Sequence, residues 1–511
     1  MEDGNIRAAV RILFSDDQIA EHSADTLQKL QSKHPPAPAD REPCENKLPT
    51  SIDVTEGDVG QAIRSFPSGS SGGPYGFRPQ HLSDMVKDLI SGPTLLTALT
   101  SLVNSLLSGF CCPMAARLLF GGRLIALSKK SGGIRPIAVG FVLGFVLRRL
   151  TAKCACLYAR DRLAEYFAPH QLGVCVKGGC EAAVHAVRRY LQNLQPGYVI
   201  AKLDFSNAFN CIRRDAMLSQ VLAHIPELYK FCRLSYENSS VLWFGSSQIF
   251  SSEGTQQGDP LGPLLFCLTI HPLLLSLQSE LNLGYMDDLT LGGDESTVED
   301  DIGRITDASS KLGLHLNRDK CEVIHQPGCV PKSPIFQPFI HLVPDVACLL
   351  GAALLFGPGL DSLLHKHCET LATATDRLST IGRHDALILL RACFGASKLQ
   401  YVLRTSPCFE HPALSTLDDL LRSGLSAITN CSLSDSQWIQ ACLPVRDGGL
   451  GVRDVTSLAI PAFLASAAST LELQDAILAT ASVPQDTFVP LFTDIWSSLF
   501  SIAPPALLSA R

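Results

Sequence analysis

The chain has 511 residues, of which 46% are hydrophobic and 18% are charged, so it can bury a large core and is not a disordered chain. Its formal net charge of −7 argues against nucleic-acid binding by the whole surface, but a local basic channel remains compatible with it. The 18 cysteines are scattered without any Cys-x-x-Cys pair, which predicts free thiols in a reducing intracellular setting and no zinc site.

The N-terminal part predicts a tail and linker followed by a folded body. Charges interrupt the first 20 residues, so no signal peptide is expected, and residues 33–40 are proline-rich. Two charge-free stretches, Leu89–Ala116 and Pro260–Ser279, are long enough to cross a bilayer. Proline and polar residues interrupt both, so we expect buried helices and no membrane partner.

The most basic segment of the chain is 115–162, which contains ten lysines and arginines and only one acidic residue, Asp161. Two apolar arms that carry Lys129 and Arg135 flank Ser131-Gly132-Gly133, which predicts a β-hairpin with cations on both arms. Such a hairpin suits polyphosphate, although a solvated basic surface has the same composition.

A tandem repeat comes next, in which Gly140-Phe141-Val142-Leu143 recurs as residues 144–147. If the repeat is helical, it moves the later residues of that helix by about one turn along the axis.

Three carboxylates are candidates for one site. Asp204 follows the apolar strand 198–203, which leads through a turn to Phe209. Asp287 and Asp288 lie in the segment 283–293, whose apolar arms and glycines predict a tight β-hairpin with both acids at its tip. Because side chains alternate along a strand, one of the two should be the main ligand and the other an auxiliary. A cluster of three acids needs neutralising cations, and Mg²⁺ prefers oxygen ligands.

Two further segments complete the pattern. The glycine- and proline-rich turn around Gln257-Gly258 runs into an apolar helix, and its glycines would let the backbone approach a planar ligand such as a base. The strand-like segment 313–322 carries Lys320. After a predicted apolar hairpin at 346–360, the pattern to residue 504 is helical, and we interpret the loop at 443–451 as a helix connection.

Taken together, these segments resemble the reverse transcriptase of non-LTR (LINE-type) retrotransposons. The resemblance covers about residues 48–452. It rests on five motifs in the expected order and spacing. They are Gly133–Ile137, Asp204–Phe209, Gln257–Pro263, Tyr285–Asp288 and Gly313–Lys320.

The resemblance implies an α+β, right-hand polymerase fold with fingers, a palm with an antiparallel sheet and a helical thumb. The corresponding division is an N-terminal tail and linker (1–47), fingers and palm (48–350), the palm end and a helical thumb-like region (351–452) and a C-terminal helical extension (453–511). The implied activity is RNA-directed DNA synthesis, with an RNA template, a DNA primer or target and dNTPs as partners.

The resemblance also implies roles for individual residues. Asp204, Asp287 and Asp288 would hold two Mg²⁺ ions, with Mn²⁺ as a substitute, for two-metal phosphoryl transfer. Lys320 corresponds to the lysine proposed to protonate the leaving group, although a surface lysine is an equally good interpretation. The substrate-binding residues would be Lys129 and Arg135 at the triphosphate, Phe209 as the steric gate against ribose, and Gln257 and Gly258 beside the nascent base pair.

Two alternatives remain open at the level of sequence. One is a catalytically silent, truncated polymerase-fold remnant that at most binds nucleic acid, and the other is an RNA polymerase of the same palm type. The three intact aspartates favour an active enzyme over a remnant, and Phe209 favours DNA synthesis. The repeat at 140–147 favours the remnant, because it looks like four extra residues relative to the family and could misplace Arg148 and Arg149. Nothing in the sequence resembles the family's endonucleases, and the sequence does not distinguish nucleus from cytoplasm.

Overall fold

The computed structural model describes residues 18–44, 48–67, 70, 76–128, 133–140, 142–481, 483, 484 and 486–505. The first part contains mostly helices and one β-hairpin. Its elements are α1 (Ala24–Ser32), α2 (Glu56–Arg64), α3 (Pro79–Val86), α4 (Gly92–Leu107), α5 (Pro113–Phe120), β1 (Gly122–Ser128), β2 (Ile134–Gly140) and α6 (Val142–Phe167). A capping box starts α2: the Asp58 N–H donates to the Thr55 hydroxyl, and the Thr55 N–H donates to the Asp58 carboxylate.

The predicted basic hairpin is confirmed as β1–β2, which pair antiparallel from Gly122↔Gly140 to Ser128↔Ile134. The repeat at 140–147 begins at the last residue of β2 and continues into the first turns of α6, so only part of it is helical. Residue 141 lies outside the described residues.

The central part surrounds a five-stranded sheet in the order β6-β7-β3-β8-β9. Its elements are α7 (Gly179–Gln192), β3 (Tyr198–Leu203), α8 (Ala208–Cys211), α9 (Arg214–His224), α10 (Tyr229–Tyr236), β4 (Ser240–Phe244), β5 (Ser247–Ser251), α11 (Gly262–Leu275), β6 (Leu281–Tyr285), β7 (Asp288–Asp294), α12 (Glu295–Lys311), β8 (Glu322–Ile324) and β9 (Ile340–Leu342). The sheet is antiparallel from β6 to β8, as predicted, and β9 adds a parallel strand at its edge. A second sheet, β2-β1-β4-β5, joins the basic hairpin to this part through the parallel pair β1–β4.

The main hydrophobic core lies between this sheet and the helices, and α11 is its most completely buried helix. The expectation for Pro260–Ser279 is therefore confirmed. The expectation of a buried helix is wrong in part for Leu89–Ala116. Leu89 and Ile90 precede α4 and have exposed fractions of 93% and 90%. Among the described residues, one helical stretch, Arg383–Thr405, is long and apolar enough to cross a membrane, and half of its most apolar window is buried against the protein.

The C-terminal part is helical after a short hairpin, as predicted. Its elements are β10 (Cys348–Leu349), β11 (Ala352–Ala353), α13 (Pro358–Leu378), α14 (Arg383–Leu389), a π-helical turn (Leu390–Phe394), α15 (Ala396–Thr405), α16 (Pro412–Thr429), α17 (Asp435–Cys442), α18 (Ala459–Ser469), α19 (Leu471–Ile477) and α20 (Phe488–Phe500). Helices α13 to α17 share a core of their own, whereas Ile477 and Leu478 pack into a core that also contains residues of α7 and β6. Helix α19 thereby packs against α7 and β6, whereas α20 packs against α18 in a separate core.

Candidate active site

The β6–β7 hairpin is tighter than predicted. Tyr285 pairs with Asp288, so the turn consists of Met286 and Asp287 alone, and Asp288 is already the first residue of β7. Met286 has φ = 59°, in the half of backbone space that favours glycine, whereas Asp287 is not among the residues with positive φ. A positive φ at the first central residue alone is the pattern of a type II′ turn. Methionine at such a position is strained by about 1–3 kcal/mol and needs support from its surroundings.

Strand β3 brings Asp204 to this hairpin. Its last pair with β7 is Leu203↔Leu289, so the ladder register places Asp204 next to Asp288. Burial is the main cause that raises the pKa of Asp287, and the nearby Asp204 carboxylate adds to it. For Asp288, reduced contact with water, followed by the charges of Asp287 and Asp204, raises the pKa to about 6, while Lys202 opposes the shift. The three acids are therefore close enough to repel one another.

A pocket of about 190 Å³ contains Asp204, Asp288 and Lys320 in its wall. Asp287 occupies the turn itself. The segment that carries Lys320 is fastened to the end of β3, because the Asn317 N–H donates to the Asp204 carbonyl oxygen at 2.8 Å. Lys320 is exposed at the end of a 3₁₀ turn, Arg318–Lys320.

Two other charged groups in the pocket wall neutralise each other. Lys202 forms an ion pair with Glu322 on β8 and also donates to the Cys348 carbonyl oxygen at 2.7 Å. The Lys202 ammonium group therefore forms its bonds with Glu322 and Cys348, which lie outside the aspartate cluster.

The chemistry of these donors suits a hard divalent cation. All three acids offer oxygen, and their mutual repulsion is the condition that bound Mg²⁺ relieves. Across the described ranges, however, no group of three or more His, Cys, Asp or Glu side chains is arranged as a preformed metal site. Asp204, Asp287 and Asp288 are therefore residues that could hold Mg²⁺ after a change in side-chain orientation.

The predicted substrate residues lie on several elements around the sheet. Arg135 is exposed on β2, opposite Leu127, and Lys129 lies outside the described residues. Phe209 is half-buried on α8, and its ring stacks on Phe266 of α11 with 4.6 Å between ring centroids. The Phe209 carbonyl oxygen accepts a hydrogen bond from the Thr255 N–H at 2.7 Å, which fixes α8 to the glycine-rich turn.

Gln257 and Gly258 approach the basic hairpin. Gly258 has φ = 103°, and a Cβ there would lie 3.3 Å from the Ala138 carbonyl oxygen on β2. Both residues line a small pocket together with Arg148, Arg149 and Asp259. The turn thus closes against the hairpin that was predicted to hold triphosphate.

Sequence reasoning missed the buried cluster that anchors this turn. Arg148 donates to the Asp259 carboxylate at 2.7 Å and to the Gln256 side-chain oxygen, and the Tyr236 hydroxyl donates to the same carboxylate. The Gln256 amide in turn donates to the Phe120 carbonyl oxygen at 2.9 Å. Helix α6 therefore places the Arg148 guanidinium in a buried, hydrogen-bonded cluster. The displacement of Arg148 and Arg149 relative to the family stays a prediction. Arg149 lies over the Phe66 ring, 5.5 Å from its centroid.

A further cavity, whose wall contains none of the three aspartates, lies in the helical C-terminal part. It has a volume of about 770 Å³, and its wall contains Arg391, Arg446 and Arg453 without any acidic residue. Arg391 comes from the π-helical turn, and the other two come from the loop that was interpreted as a helix connection and the segment directly after it. Within the part of the chain that the structure describes, Arg391 and Arg453 form no ion pair.

Comparison with known proteins agrees with this arrangement. Residues 127–346 match the family described as "Reverse transcriptase (RNA-dependent DNA polymerase)". The "Retrovirus-related Pol polyprotein from type-2 retrotransposable element R2DM" of Drosophila melanogaster is 28% identical over 214 residues, which cover 38% of this chain and 20% of the relative. The "Retrotransposable element SLACS 132 kDa protein" of Trypanosoma brucei gambiense is 26% identical over 298 residues, which cover 56% of this chain and 24% of the relative.

The chain resembles the reverse transcriptases of non-LTR retrotransposons. It matches only a fifth to a quarter of the length of these relatives. The predicted α+β, right-hand polymerase fold is confirmed, with Asp204 and the Asp287–Asp288 hairpin both inside the matched region.

Solved structures of telomerase from Candida tropicalis also show similarity. The apo form is 12% identical with a TM-score of 0.36, covering 78% of this chain and 74% of that chain. A complex "with TWJ fragment of telomeric RNA" is 11% identical with a TM-score of 0.35, covering 72% and 64%.

Proposed function

We propose that the chain is an RNA-directed DNA polymerase that transfers nucleotides from dNTPs to a primer 3′-hydroxyl on an RNA template. The observation that carries the proposal is the aspartate cluster. Asp204 and Asp288 share one pocket and Asp287 adjoins them, in a chain that resembles reverse transcriptases.

In this proposal Asp204, Asp287 and Asp288 hold Mg²⁺ beside the reacting phosphate. Bound Mg²⁺ would supply activation of the primer hydroxyl and neutralisation of the charge that develops on the leaving pyrophosphate. Lys320 faces the same pocket and is the candidate to donate a proton to the leaving group. The main-chain bond from Asn317 to Asp204 keeps the segment that carries this lysine next to the end of β3.

The other site residues would select and orient the nucleotide. Arg135, exposed on the basic hairpin, and Lys129 would bind the triphosphate by charge-assisted hydrogen bonds. Gln257 and Gly258 would lie beside the base, where a glycine allows close backbone approach. The Phe209 ring, held by Phe266, would exclude a ribose 2′-hydroxyl.

The arginine-lined cavity supports nucleic acid as a partner. Its wall contains three arginines and no acidic residue; Arg446 is paired with the adjacent Asp447 at 3.5 Å, whereas Arg391 and Arg453 form no ion pair within the described residues. The two unpaired arginines make this a local basic surface on a protein whose net charge is −7. We assign to this cavity contacts with phosphates of the template or primer, because guanidinium groups bind phosphate in a bidentate manner.

A second candidate function is a silent remnant that binds nucleic acid without catalysis. The observation that favours it is the repeat at 140–147, which looks like four extra residues relative to the family between the basic hairpin and the arginine pair Arg148–Arg149. It predicts binding of RNA without any nucleotide incorporation.

Primer extension distinguishes the two functions. The purified chain is incubated with a DNA primer on an RNA template, Mg²⁺ and either dNTPs or ribonucleotides. We expect extension with dNTPs that is lost with Asp287→Asn. The matched control is Asp300→Asn, an exposed aspartate on α12. Wild-type protein that binds RNA but extends no primer would contradict the polymerase proposal and support the remnant.

A further inference from the structure

Gln171 is fully buried beside the Met286–Asp287 turn and contacts the backbone of that turn on both sides of Met286. Its side-chain oxygen accepts a hydrogen bond from the Met286 N–H at 2.9 Å. Its amide nitrogen donates to the Met286 carbonyl oxygen at 3.2 Å. One primary amide therefore satisfies both main-chain polar groups of the strained residue, which is the pairing that a neighbouring strand would otherwise supply.

The backbone that carries Gln171 is itself fastened to β6. The Gly284 N–H donates to the His170 carbonyl oxygen at 2.6 Å, and the Leu172 N–H donates to the Gly284 carbonyl oxygen at 2.8 Å. These bonds form a parallel bridge between Gln171 and Gly284. The Gln171 side-chain oxygen also accepts from the Gly173 N–H at 3.1 Å, which fixes the orientation of the amide.

Two glycines make room for this contact. A Cβ on Gly173 would lie 2.5 Å from the Met286 nitrogen, a distance that real Cβ atoms do not adopt. A Cβ on Gly284 would lie 3.1 Å from the Gln171 amide nitrogen. The 171–173 segment can therefore approach the turn closely because both facing segments carry a glycine, Gly173 on one and Gly284 on the other.

The turn needs this support because its sequence does not favour its shape. The first central position of a type II′ turn prefers glycine, and here it is Met286 with φ = 59°. A residue in a sparsely populated backbone region keeps it only where the surroundings over-determine it. The Gln171 amide bonds to both main-chain polar groups of Met286, and the buried Cys267 thiol also interacts with the Met286 backbone.

We propose that Gln171 is a positioning residue that locks the Met286–Asp287 turn and thereby sets the direction in which Asp287 and Asp288 are presented. The residue touches neither carboxylate and acts through the peptide groups on either side of Met286. The inference rests on the proposed function for its catalytic consequence, but the lock itself is a property of the fold.

Two variants test the lock. Gln171→Met keeps the length of the side chain and removes both hydrogen bonds, whereas Gln171→Glu keeps the acceptor for the Met286 N–H and removes the donor to its carbonyl oxygen. The matched control is Gln474→Met. Gln474 is also buried, with an exposed fraction of 2%, and its amide donates to the Ala467 carbonyl oxygen at 2.8 Å in the C-terminal helices.

The first readout is hydrogen exchange at the Met286 amide in the full chain, which does not depend on activity. We expect exchange to be roughly 5- to 10-fold faster in Gln171→Met than in wild type, in line with the loss of one net hydrogen bond. Gln474→Met should leave this amide unchanged. If Gln171→Met does not fold, Gln171→Glu is measured instead. We then expect a smaller increase in hydrogen exchange at the Met286 amide, because this variant keeps the acceptor.

The second readout is steady-state incorporation of dNTP. We expect kcat to fall roughly 10- to 100-fold in Gln171→Met, as for residues that orient metal ligands, while KM for dNTP changes little. The half-saturating Mg²⁺ concentration should rise as well. Gln474→Met should lose thermal stability without this loss of kcat.

The outcomes separate the two proposals. Unchanged exchange at Met286, or equal kcat losses in Gln171→Met and Gln474→Met, would overturn the positioning role. If wild-type protein incorporates no nucleotide, the proposed function fails, and the exchange result alone then decides whether the lock exists.

Discussion

Replacing Arg148 with methionine tests the buried cluster that anchors the Gln256–Asp259 turn. The exposed fractions of the two charged side chains are 9% for Arg148 and 4% for Asp259, and 2.7 Å separates their nitrogen and oxygen atoms. Methionine keeps the apolar stem of Arg148 and removes its guanidinium. The Asp259 carboxylate would then stay buried without its cation, with the Tyr236 hydroxyl and the Leu261 N–H as donors.

The expected loss follows from this burial. Removing one partner of a buried ion pair costs about 3–5 kcal/mol of the free energy of unfolding, because an uncompensated charge is left behind. Asp259→Asn should lower the free energy of unfolding by a similar amount, because it leaves the buried Arg148 guanidinium without its carboxylate. The double variant should lose less than the sum of the two, with a coupling energy of about 2–3 kcal/mol.

The matched control is the exposed pair Arg162–Glu227, whose arginine lies on the same helix, α6. Its exposed fractions are 55% and 35%, and its nitrogen–oxygen distance is 3.5 Å. The same double-mutant cycle with Arg162→Met and Glu227→Gln should give a coupling energy of at most about 1 kcal/mol.

Urea denaturation followed by far-ultraviolet circular dichroism and tryptophan fluorescence measures both cycles. The coupling energies are compared only among variants whose denaturant slopes agree, since a changed slope signals a changed unfolding transition. A coupling energy for Arg148–Asp259 as small as that of Arg162–Glu227 would refute the reasoning.

Two further predictions concern substrate and template. Phe209→Val should raise the use of ribonucleotides relative to dNTPs by roughly 10-fold or more in primer extension, because a smaller side chain leaves room for a 2′-hydroxyl; Phe250→Val, at an exposed phenylalanine on β5, should leave the ratio unchanged. Arg391→Glu combined with Arg453→Glu should weaken binding of a labelled RNA–DNA duplex and reduce the slope of log affinity against log salt by about 1 for each phosphate that is no longer neutralised. A slope equal to that of the control Arg160→Glu would contradict the assignment of phosphate contacts to this cavity.

Local patterns in the sequence predicted the elements that carry the chemistry. The strand before Asp204, the basic hairpin and the β6–β7 hairpin all depend on apolar alternation and turn residues that are close in the chain. The exact turn could not be predicted in this way. Both acids were expected at the tip, but the tip is Met286–Asp287, because Gln171 supports a two-residue turn from 115 residues away.

The residues missed by the sequence are those whose partners are distant in the chain. Arg148 and Asp259 are 111 residues apart, and only the folded chain brings them together. In the sequence, Gln171 looks like an ordinary polar loop residue. It is buried only because distant parts of the chain pack around it in the folded protein. The arginine-lined cavity combines a π-helical turn with a loop that was interpreted as a helix connection, and neither segment suggests a cavity alone.

The central claim is that Asp204 and the Asp287–Asp288 hairpin form one catalytic site. Incorporation of a single labelled dNMP opposite an RNA template measures this most directly, in wild type, Asp204→Asn, Asp287→Asn and Asp300→Asn at saturating Mg²⁺. We expect both site variants to lose at least about 100-fold in rate while Asp300→Asn equals wild type. Site variants that incorporate the nucleotide at the wild-type rate would contradict the claim.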